Sequence, residues 1–290
     1  MFKGPMVALV TPFKDNKVDY NKFEELINRQ IDNGTMAIVP CGTTGESATL
    51  SHQEHRDVIK FTVEVVNKRV PVIAGTGSNN TAEAIELTTF AEKVGADGAL
   101  VITPYYNKPT QAGLVAHFSA VAEKTDIPIV LYNVPSRTGI NMLPATVAEL
   151  TKYENIVAIK EASGSMTQAL DIIQLTHNKI KVISGDDGLF FPLLTIGAVG
   201  VISVVSNVVP RDMRALYDSF IEGDYENAKQ WHYKLSPLIK AMFYETNPIP
   251  VKATLNLMGL INKELRLPLV PMSSENLNKL KQVLADYSNS

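Results

Sequence analysis

The sequence contains little cysteine, no excess of either charge and no long apolar run. Its only cysteine, Cys41, cannot form an internal disulfide, so we expect a cytoplasmic protein in a reducing compartment. A formal net charge of −3 and a pI near 6.0 argue against binding to nucleic acid or to an anionic membrane. No uninterrupted apolar segment is long enough to cross a bilayer. These absences predict a globular protein with no feature that points to nucleic acid or to a membrane.

The composition is sufficient for a large hydrophobic core. Of its 290 residues, 45% are hydrophobic and 20% are charged. Short apolar runs alternate with polar or glycine residues and then with amphipathic stretches, of which 20–32 has the clearest helical stripe. The eight runs are Met6–Val10, Ala37–Val39, Val70–Ala74, Ala99–Ile102, Ile127–Leu131, Ile156–Ile159, Ile180–Ile183 and Val199–Val205.

Eight strand-then-helix units predict a (β/α)8 TIM barrel, because parallel strands joined through right-handed helical crossovers can close on themselves. An open, doubly wound sheet is the alternative. After the eighth unit the chain carries only helical patterns, at 210–222, 225–234, 250–258 and 274–285. We therefore predict a catalytic barrel over residues 1–223. A C-terminal helical appendage, 224–290, is expected to pack on the barrel flank.

Polar residues follow each predicted strand, and in a barrel they would gather at the C-terminal mouth, where active sites lie. Hydroxyl groups and tyrosines dominate this set, together with one lysine. The set is Thr11, Gly42–Glu46, Gly75–Gly77, Thr103–Asn107, Tyr132, Asn133, Lys160, Glu161, Gly185–Asp187 and Ser203.

The lysine of this set, Lys160, ends a strand that is apolar on both faces. Such a lysine either extends along apolar surface toward solvent or is held in a cavity as an amine for chemistry. Two nearby motifs favour the second interpretation. The Gly42–Glu46 turn offers two threonine hydroxyls and exposed N–H groups, which suit a carboxylate, although an ordinary capped loop is an equal alternative. Arg137, five residues after Tyr132, can hold a carboxylate bidentately, although taken alone it is better interpreted as a surface cation.

Three other patterns do not predict a cofactor or metal site. Gly75-Thr76-Gly77 lacks the third glycine of a dinucleotide loop, so a tight strand-to-helix turn is expected. His52 and His55 have helical spacing, but no further ligand completes a metal site. We expect Cys41 to face the barrel interior.

Together these motifs resemble the dihydrodipicolinate synthase family, within the wider superfamily of pyruvate-dependent class I aldolases. The resemblance rests on Gly42–Ser47, Thr103–Asn107, Tyr132–Gly139 and Ile159–Glu161, spans nearly the whole chain and shows no departure at the catalytic positions. It implies that pyruvate forms an imine on Lys160 without metal or organic cofactor, and that L-aspartate 4-semialdehyde is the second substrate. The residues implied are catalytic Lys160, Tyr132, Thr43 and Tyr106, and substrate-binding Thr44, Arg137, Ile202 and Gly185.

The resemblance also implies inhibition by L-lysine in a pocket between two subunits. The matching positions are Ser47, Ala48, His52, His55, Asn79, Glu83 and Tyr105. A Tyr106 shared across an interface implies a homo-oligomer, expected to be a tetramer built as a dimer of dimers. Two alternatives stay open: another aldolase of the superfamily, such as N-acetylneuraminate lyase, and a non-catalytic lysine-binding barrel.

Overall fold

The computed structural model describes residues 2–289, and its centre is a sheet of eight parallel strands. The hydrogen-bonded order is β2-β1-β8-β7-β6-β5-β4-β3, so every strand lies beside its neighbour in sequence or, for β1 and β8, beside the other end of the series. The strands are β1 (Gly4–Ala8), β2 (Ile38–Val39), β3 (Ile73–Gly75), β4 (Gly98–Ile102), β5 (Ile129–Asn133), β6 (Ile156–Glu161), β7 (Lys181–Ser184) and β8 (Gly200–Ser203).

A parallel bridge between Ile38 and Val72 brings β2 and β3 together and closes the sheet. The N–H of Ile38 also donates to the carbonyl oxygen of Pro71 at 3.0 Å. The predicted barrel is therefore confirmed, and the open-sheet alternative is wrong.

A helix follows each strand and covers the outside of the barrel. These helices are α1 (Tyr20–Asp32), α2 (His52–Val66), α3 (Thr81–Lys93), α4 (Gln111–Ala122), α5 (Pro144–Glu149), α6 (Met166–Leu175), α7 (Phe190–Thr195) and α8 (Pro210–Ile221). The C-terminal helices are α9 (Tyr225–Ala241), α10 (Ile249–Leu257) and α11 (Ser274–Ser288). No helix within 2–289 is both long and apolar enough to span a membrane.

The sequence pattern missed a small antiparallel hairpin between β1 and α1, formed by Phe13–Lys14 and Lys17–Val18. Its two-residue turn, Asp15 and Asn16, has positive φ at both positions (52° and 58°), as a type I′ turn requires. The two strands are too short to produce a periodic pattern in the sequence. The Asp-Asn pair was nevertheless a usable signal for a hairpin turn.

Among the predicted boundaries that differ from the structure, two concern the last strand and helix α9. The last strand ends at Ser203 rather than Val205, because the Asp187 carboxylate accepts hydrogen bonds from the N–H groups of Val204 (3.0 Å) and Val205 (2.9 Å) and holds them in a 3₁₀ turn. Helix α9 continues to Ala241, past Pro237, instead of ending near 234.

The barrel interior is filled by side chains and is closed at the N-terminal end. The inner cluster includes Met6, Ile73 and Ile183, all fully buried, and Phe2 lies at its base. Two glycines let the strand ends approach other backbone: a Cβ at Gly75 would lie 2.2 Å from the carbonyl oxygen of Cys41, and one at Gly77 would lie 2.3 Å from the nitrogen of Ile102. The Gly-Thr-Gly motif thus serves close packing of backbone at the barrel mouth.

The C-terminal helices share a core with the barrel helices. Leu235 and Leu238 of α9 and Leu280 of α11 are fully buried in the same cluster as Phe23 of α1. Each fully buried side chain of this size contributes about 1.5–3 kcal/mol of transfer free energy. This packing fixes the C-terminal segments against the barrel mouth, with consequences for the site.

Candidate active site

The C-terminal ends of β5 and β6 place Tyr132 and Lys160 side by side. These residues are partners in the parallel register, and their side chains are 7% and 6% exposed. The Lys160 Nζ lies 4.3 Å from the centroid of the Tyr132 ring. Among the described residues no carboxylate forms an ion pair with Lys160. The amine is therefore buried against the phenol ring of Tyr132, which suits chemistry better than surface charge.

The turn after β2 presents the two threonines. The N–H of Gly45 donates to the carbonyl oxygen of Gly42, and that of Glu46 to Thr43, each at 3.1 Å. Thr44 is 2% exposed, and its Oγ1 accepts a hydrogen bond from the Asn247 Nδ2 at 2.9 Å. With its acceptor role satisfied by Asn247, the Thr44 hydroxyl can donate its proton to a ligand.

The arginine lies on a short helical turn, Pro135–Thr138, directly after β5. The Arg137 Nη2 donates to the carbonyl oxygen of Asn247 at 3.2 Å. Asn247 precedes α10 and so joins the threonine turn to the arginine loop. Only part of the guanidinium is engaged by protein, because no carboxylate forms an ion pair with Arg137 among the described residues.

A cavity of about 370 Å³ brings most of the predicted substrate-site residues together. The predicted residues that line it are Thr43, Thr44, Tyr132, Arg137, Lys160 and Gly185. Three further lining residues, Phe243, Thr246 and Asn247, come from the segment between α9 and α10 and were missed. Polar residues before the Pro248 and Pro250 pair were the available signal, but nothing in the sequence places them opposite the Thr43 turn.

Two predicted site residues do not line this cavity. Tyr106 is 89% exposed, with φ of 72°, and extends away from the chain. Ile202 is 1% exposed and packs in the inner cluster beneath Tyr132. The single chain therefore lacks the second tyrosine at the cavity that the resemblance implies.

A second cavity, of about 480 Å³, adjoins the first and collects most of the predicted lysine-binding positions. Those that line it are Ser47, Ala48, His52, His55, Glu83 and Tyr105. Asn79 does not line it, but its Nδ2 donates to the carbonyl oxygen of Tyr105 at 3.1 Å. The two cavities share Thr43, Tyr132 and Arg137 as a common wall.

The charged groups of the second cavity are held by local contacts. The Glu83 Oε1 lies 3.1 Å from the His52 Nδ1, and its other oxygen accepts from the Ser78 hydroxyl. The His55 Nε2 lies 2.7 Å from the carbonyl oxygen of Gly75, and burial lowers the pKa of His55. His55 is therefore a neutral donor to backbone, and Glu83 is the carboxylate available to a cationic ligand.

A buried carboxylate, Glu161, anchors the loop that carries Arg137. It points away from Lys160, and its Oε2 accepts from the Asn133 Nδ2 and the Gln168 Nε2, each at 3.1 Å. The Asn133 Oδ1 accepts from the N–H of Met142 at 2.9 Å. This network ties the end of the arginine loop to β5 and β6.

The prediction that Cys41 faces the barrel interior is wrong. Its backbone φ of 55° turns the side chain toward α2, where its Sγ lies 3.7 Å from the carbonyl oxygen of His55. Complete burial raises the pKa of the Cys41 thiol, so this group is not a nucleophile. Within residues 2–289, no three His, Cys, Asp or Glu side chains are grouped so as to hold a metal ion.

Comparison with known proteins identifies the family. Residues 1–287 match the model of the dihydrodipicolinate synthetase family. The chain belongs to this family. It is 58% identical over 287 residues to 4-hydroxy-tetrahydrodipicolinate synthase of Geotalea daltonii, covering 99% of each chain. The expectation of an enzyme, a lyase of this family, is confirmed by relatives that match over essentially the whole chain.

Two solved structures extend the comparison. The chloride-inhibited dihydrodipicolinate synthase of Acinetobacter baumannii, complexed with pyruvate, is 45% identical, with a TM-score of 0.97 over 99% of each chain. The enzyme of Cyanidioschyzon merolae with lysine bound is 41% identical, with a TM-score of 0.96 over 99% of this chain and 98% of that one. The whole fold of the present chain is thus shared with members that bind these two ligands.

An ion pair beside the threonine turn gives a testable pH dependence. The Arg266 guanidinium contacts both oxygens of Glu54, at 2.6 and 2.9 Å, and these hydrogen bonds lower the pKa of Glu54 from 4.5 to about 2. A carboxylate with a lowered pKa in the folded state stabilises the fold above its ordinary pKa, and this contribution is lost as the pH falls from about 4.5 to about 2. We expect the difference in unfolding free energy between the native chain and Glu54→Gln to shrink over that interval. Urea unfolding from pH 7 to pH 2.5 measures it, and a constant difference would contradict the assignment.

Proposed function

We propose that this enzyme condenses pyruvate with L-aspartate 4-semialdehyde to give 4-hydroxy-tetrahydrodipicolinate, in the diaminopimelate route to lysine. The observation that carries the proposal is the buried Lys160 amine, held against Tyr132 in a cavity that also presents Thr43, Thr44 and Arg137. Membership of the family and the pyruvate complex of a relative with the same fold support it.

The first step joins pyruvate to the enzyme. The neutral amine of Lys160 attacks the ketone carbon, and loss of water leaves an imine. An ammonium group cannot attack a carbonyl carbon, so this step uses the neutral amine. Tyr132, in contact with the amine, is placed to move the protons of addition and dehydration.

The second step forms the carbon–carbon bond. Loss of a proton from the pyruvate methyl group converts the imine to an enamine, whose carbon adds to the aldehyde of the second substrate. The amine of the second substrate then attacks the imine carbon, which closes the ring and releases Lys160. The imine itself acts as the electron sink, so this mechanism uses no metal or organic cofactor.

The two carboxylates are assigned to different residues of the cavity. Thr44, whose hydroxyl can donate, would hold the carboxylate of pyruvate, and the family resemblance adds the backbone at Ile202, whose side chain packs in the inner cluster. Arg137 would hold that of the semialdehyde with the part of its guanidinium that faces the cavity. Gly185, directly after β7, also lines the cavity, and glycine is needed there because a Cβ would lie 2.5 Å from the Cβ of Ala162.

A second tyrosine completes the proposed proton relay. Thr43 would link Tyr132 to Tyr106 of a neighbouring subunit, and the 89% exposure of Tyr106 in the single chain supports this assignment. An exposed aromatic side chain on a left-handed backbone gains from a partner that buries it. We therefore propose a homo-oligomer, with a tetramer built as a dimer of dimers as the expected form.

Lysine 160 is testable by chemical trapping. We expect incubation with pyruvate and borohydride to add one reduced pyruvate to the protein, and peptide mapping to place it on Lys160. Lys160→Met should lose the adduct and reduce turnover by at least about 10³-fold, because within residues 2–289 no other amine lines the cavity. A folded native protein that forms no adduct would eliminate imine chemistry and favour the non-catalytic barrel.

Arginine 137 separates the synthase from N-acetylneuraminate lyase. We expect Arg137→Ala to reduce turnover of the semialdehyde by about 10²-fold or more, because a buried carboxylate loses a charge-assisted partner. Trapping of pyruvate should change only a few-fold, and Arg137→Lys should recover part of the turnover without the bidentate geometry. Cleavage of N-acetylneuraminate that is unaffected by Arg137→Ala would instead support the lyase.

The second cavity supports a regulatory proposal. We infer that L-lysine binds there and inhibits the enzyme, with its α-ammonium at Glu83 and its carboxylate near Tyr105 and Asn79. Inhibition by lysine at about millimolar concentration or below is expected. Glu83→Gln should weaken it by about tenfold or more while activity without lysine is retained, since the ligand loses one charge-assisted partner.

Glu86→Gln provides a matched control for this lysine titration. Glu86 lies one turn along α3 from Glu83, is exposed and pairs with Arg56 outside the cavity. The Glu86→Gln variant should leave inhibition by lysine unchanged. Native activity that stays flat across the lysine titration would eliminate the regulatory proposal without affecting the catalytic one.

A further inference from the structure

A buried ion pair outside the proposed mechanism lies directly behind the threonine turn. The Lys252 Nζ is 2.5 Å from the Glu46 Oε1, and the two side chains are 1% and 0% exposed. Lys252 belongs to α10 and Glu46 ends the Gly42–Glu46 turn, so 206 residues of sequence separate the partners. The pair joins the C-terminal region to the turn that carries Thr43 and Thr44.

Additional hydrogen bonds extend this pair into a clamp, by which we mean Glu46, Lys252 and Thr11. The Lys252 Nζ also donates to the carbonyl oxygen of Thr11 at 3.0 Å, and the Thr11 hydroxyl donates to the carbonyl oxygen of Gly45 at 2.7 Å. The other Glu46 oxygen accepts from the backbone N–H of Arg266 at 3.1 Å. The end of the turn is therefore held at two points, the Glu46 side chain and the carbonyl group of Gly45.

The backbone at Glu46 is in a conformation that needs such support. Its φ of 53° and ψ of 37° are left-handed, which is unfavourable for a residue with a long side chain. The clamp fixes Glu46 there, and the N–H of Glu46 in turn donates to the carbonyl oxygen of Thr43 at 3.1 Å. The orientation of Thr43 and Thr44 within the turn thus depends on the position of Glu46.

A buried ion pair is weak evidence for stability, because removing two charges from water opposes their attraction, and uncharged pairs of similar volume are often as stable. The presence of a buried ion pair is better explained by the single local geometry that it specifies. Here that geometry is the turn at the cavity mouth. Lys252 also lies 4.3 Å from the centroid of the Phe13 ring, so aromatic packing restricts its position.

We propose that Glu46 and Lys252 are positioning residues that hold Thr43 and Thr44 at the cavity and thereby set the affinity for the carboxylate of the first substrate. The inference rests on the proposed function, since it assigns that carboxylate to Thr44. It gives the C-terminal helices a direct role in the site. Because neither side chain is assigned a contact with substrate, the effect must appear in how tightly pyruvate is held.

The test uses the full-length double variant Glu46→Gln/Lys252→Met, which removes both charges and approximately keeps the volume. Borohydride trapping over a range of pyruvate concentrations gives the half-saturating concentration, and steady-state kinetics give KM and kcat separately. We expect cooperative unfolding to be retained, and both the half-saturating concentration and KM for pyruvate to rise by about 10- to 100-fold, with a smaller change in kcat. Glu226→Gln/Lys229→Met, an exposed pair at 2.5 Å on α9, is the control and should match the native enzyme.

The outcomes separate the inference from the function on which it rests. No adduct in the native enzyme would overturn the proposed function. An adduct in both proteins with the same pyruvate dependence would overturn the positioning role and leave the function standing. If the double variant does not fold, Thr11→Val removes the hydroxyl contact with Gly45 at similar volume. An unchanged pyruvate dependence in that variant would overturn the inference equally.

Discussion

The parallel ladder between β5 and β6 is the constraint on which the site depends. It sets Tyr132 directly opposite Lys160, so the amine and the phenol ring meet without help from any loop. Closure of the barrel then fixes which loops face this pair, because all eight strands run in the same direction and end at one mouth. The proposed reacting groups thus lie on strands, and loops supply the groups that would recognise substrate.

The C-terminal helices are part of the site rather than a cover for the barrel. Asn247 hydrogen bonds to Thr44 and to Arg137, and Lys252 and Arg266 hold the Gly42–Glu46 turn from behind. The same helices share an apolar core with α1. The domain boundary at 223/224 remains a prediction from the sequence pattern. In the structure, residues from both sides of this boundary line the same cavity.

The two adjoining cavities offer a short physical route for regulation. Thr43, Tyr132 and Arg137 contribute to both, so an occupant of the second cavity would touch side chains that also shape the first. Gly42 at the start of the threonine turn lines both cavities as well. Coupling between the sites would therefore need only small adjustments of a common wall, not a transition through the whole fold.

The sequence by itself determined the barrel and proposed Lys160 and Tyr132 as the reacting groups. Apolar runs with polar ends are local patterns, and a lysine at the end of a buried strand is visible without coordinates. Only the tertiary structure decided the contacts of Asn247 and Lys252, the outward orientation of Cys41 and the turn at Val205. Each of these depends on a contact between distant segments or on a single backbone torsion, such as the 203 residues between Asn247 and Thr44. A periodic pattern records which face of an element is apolar, but not which polar group from another element will meet it.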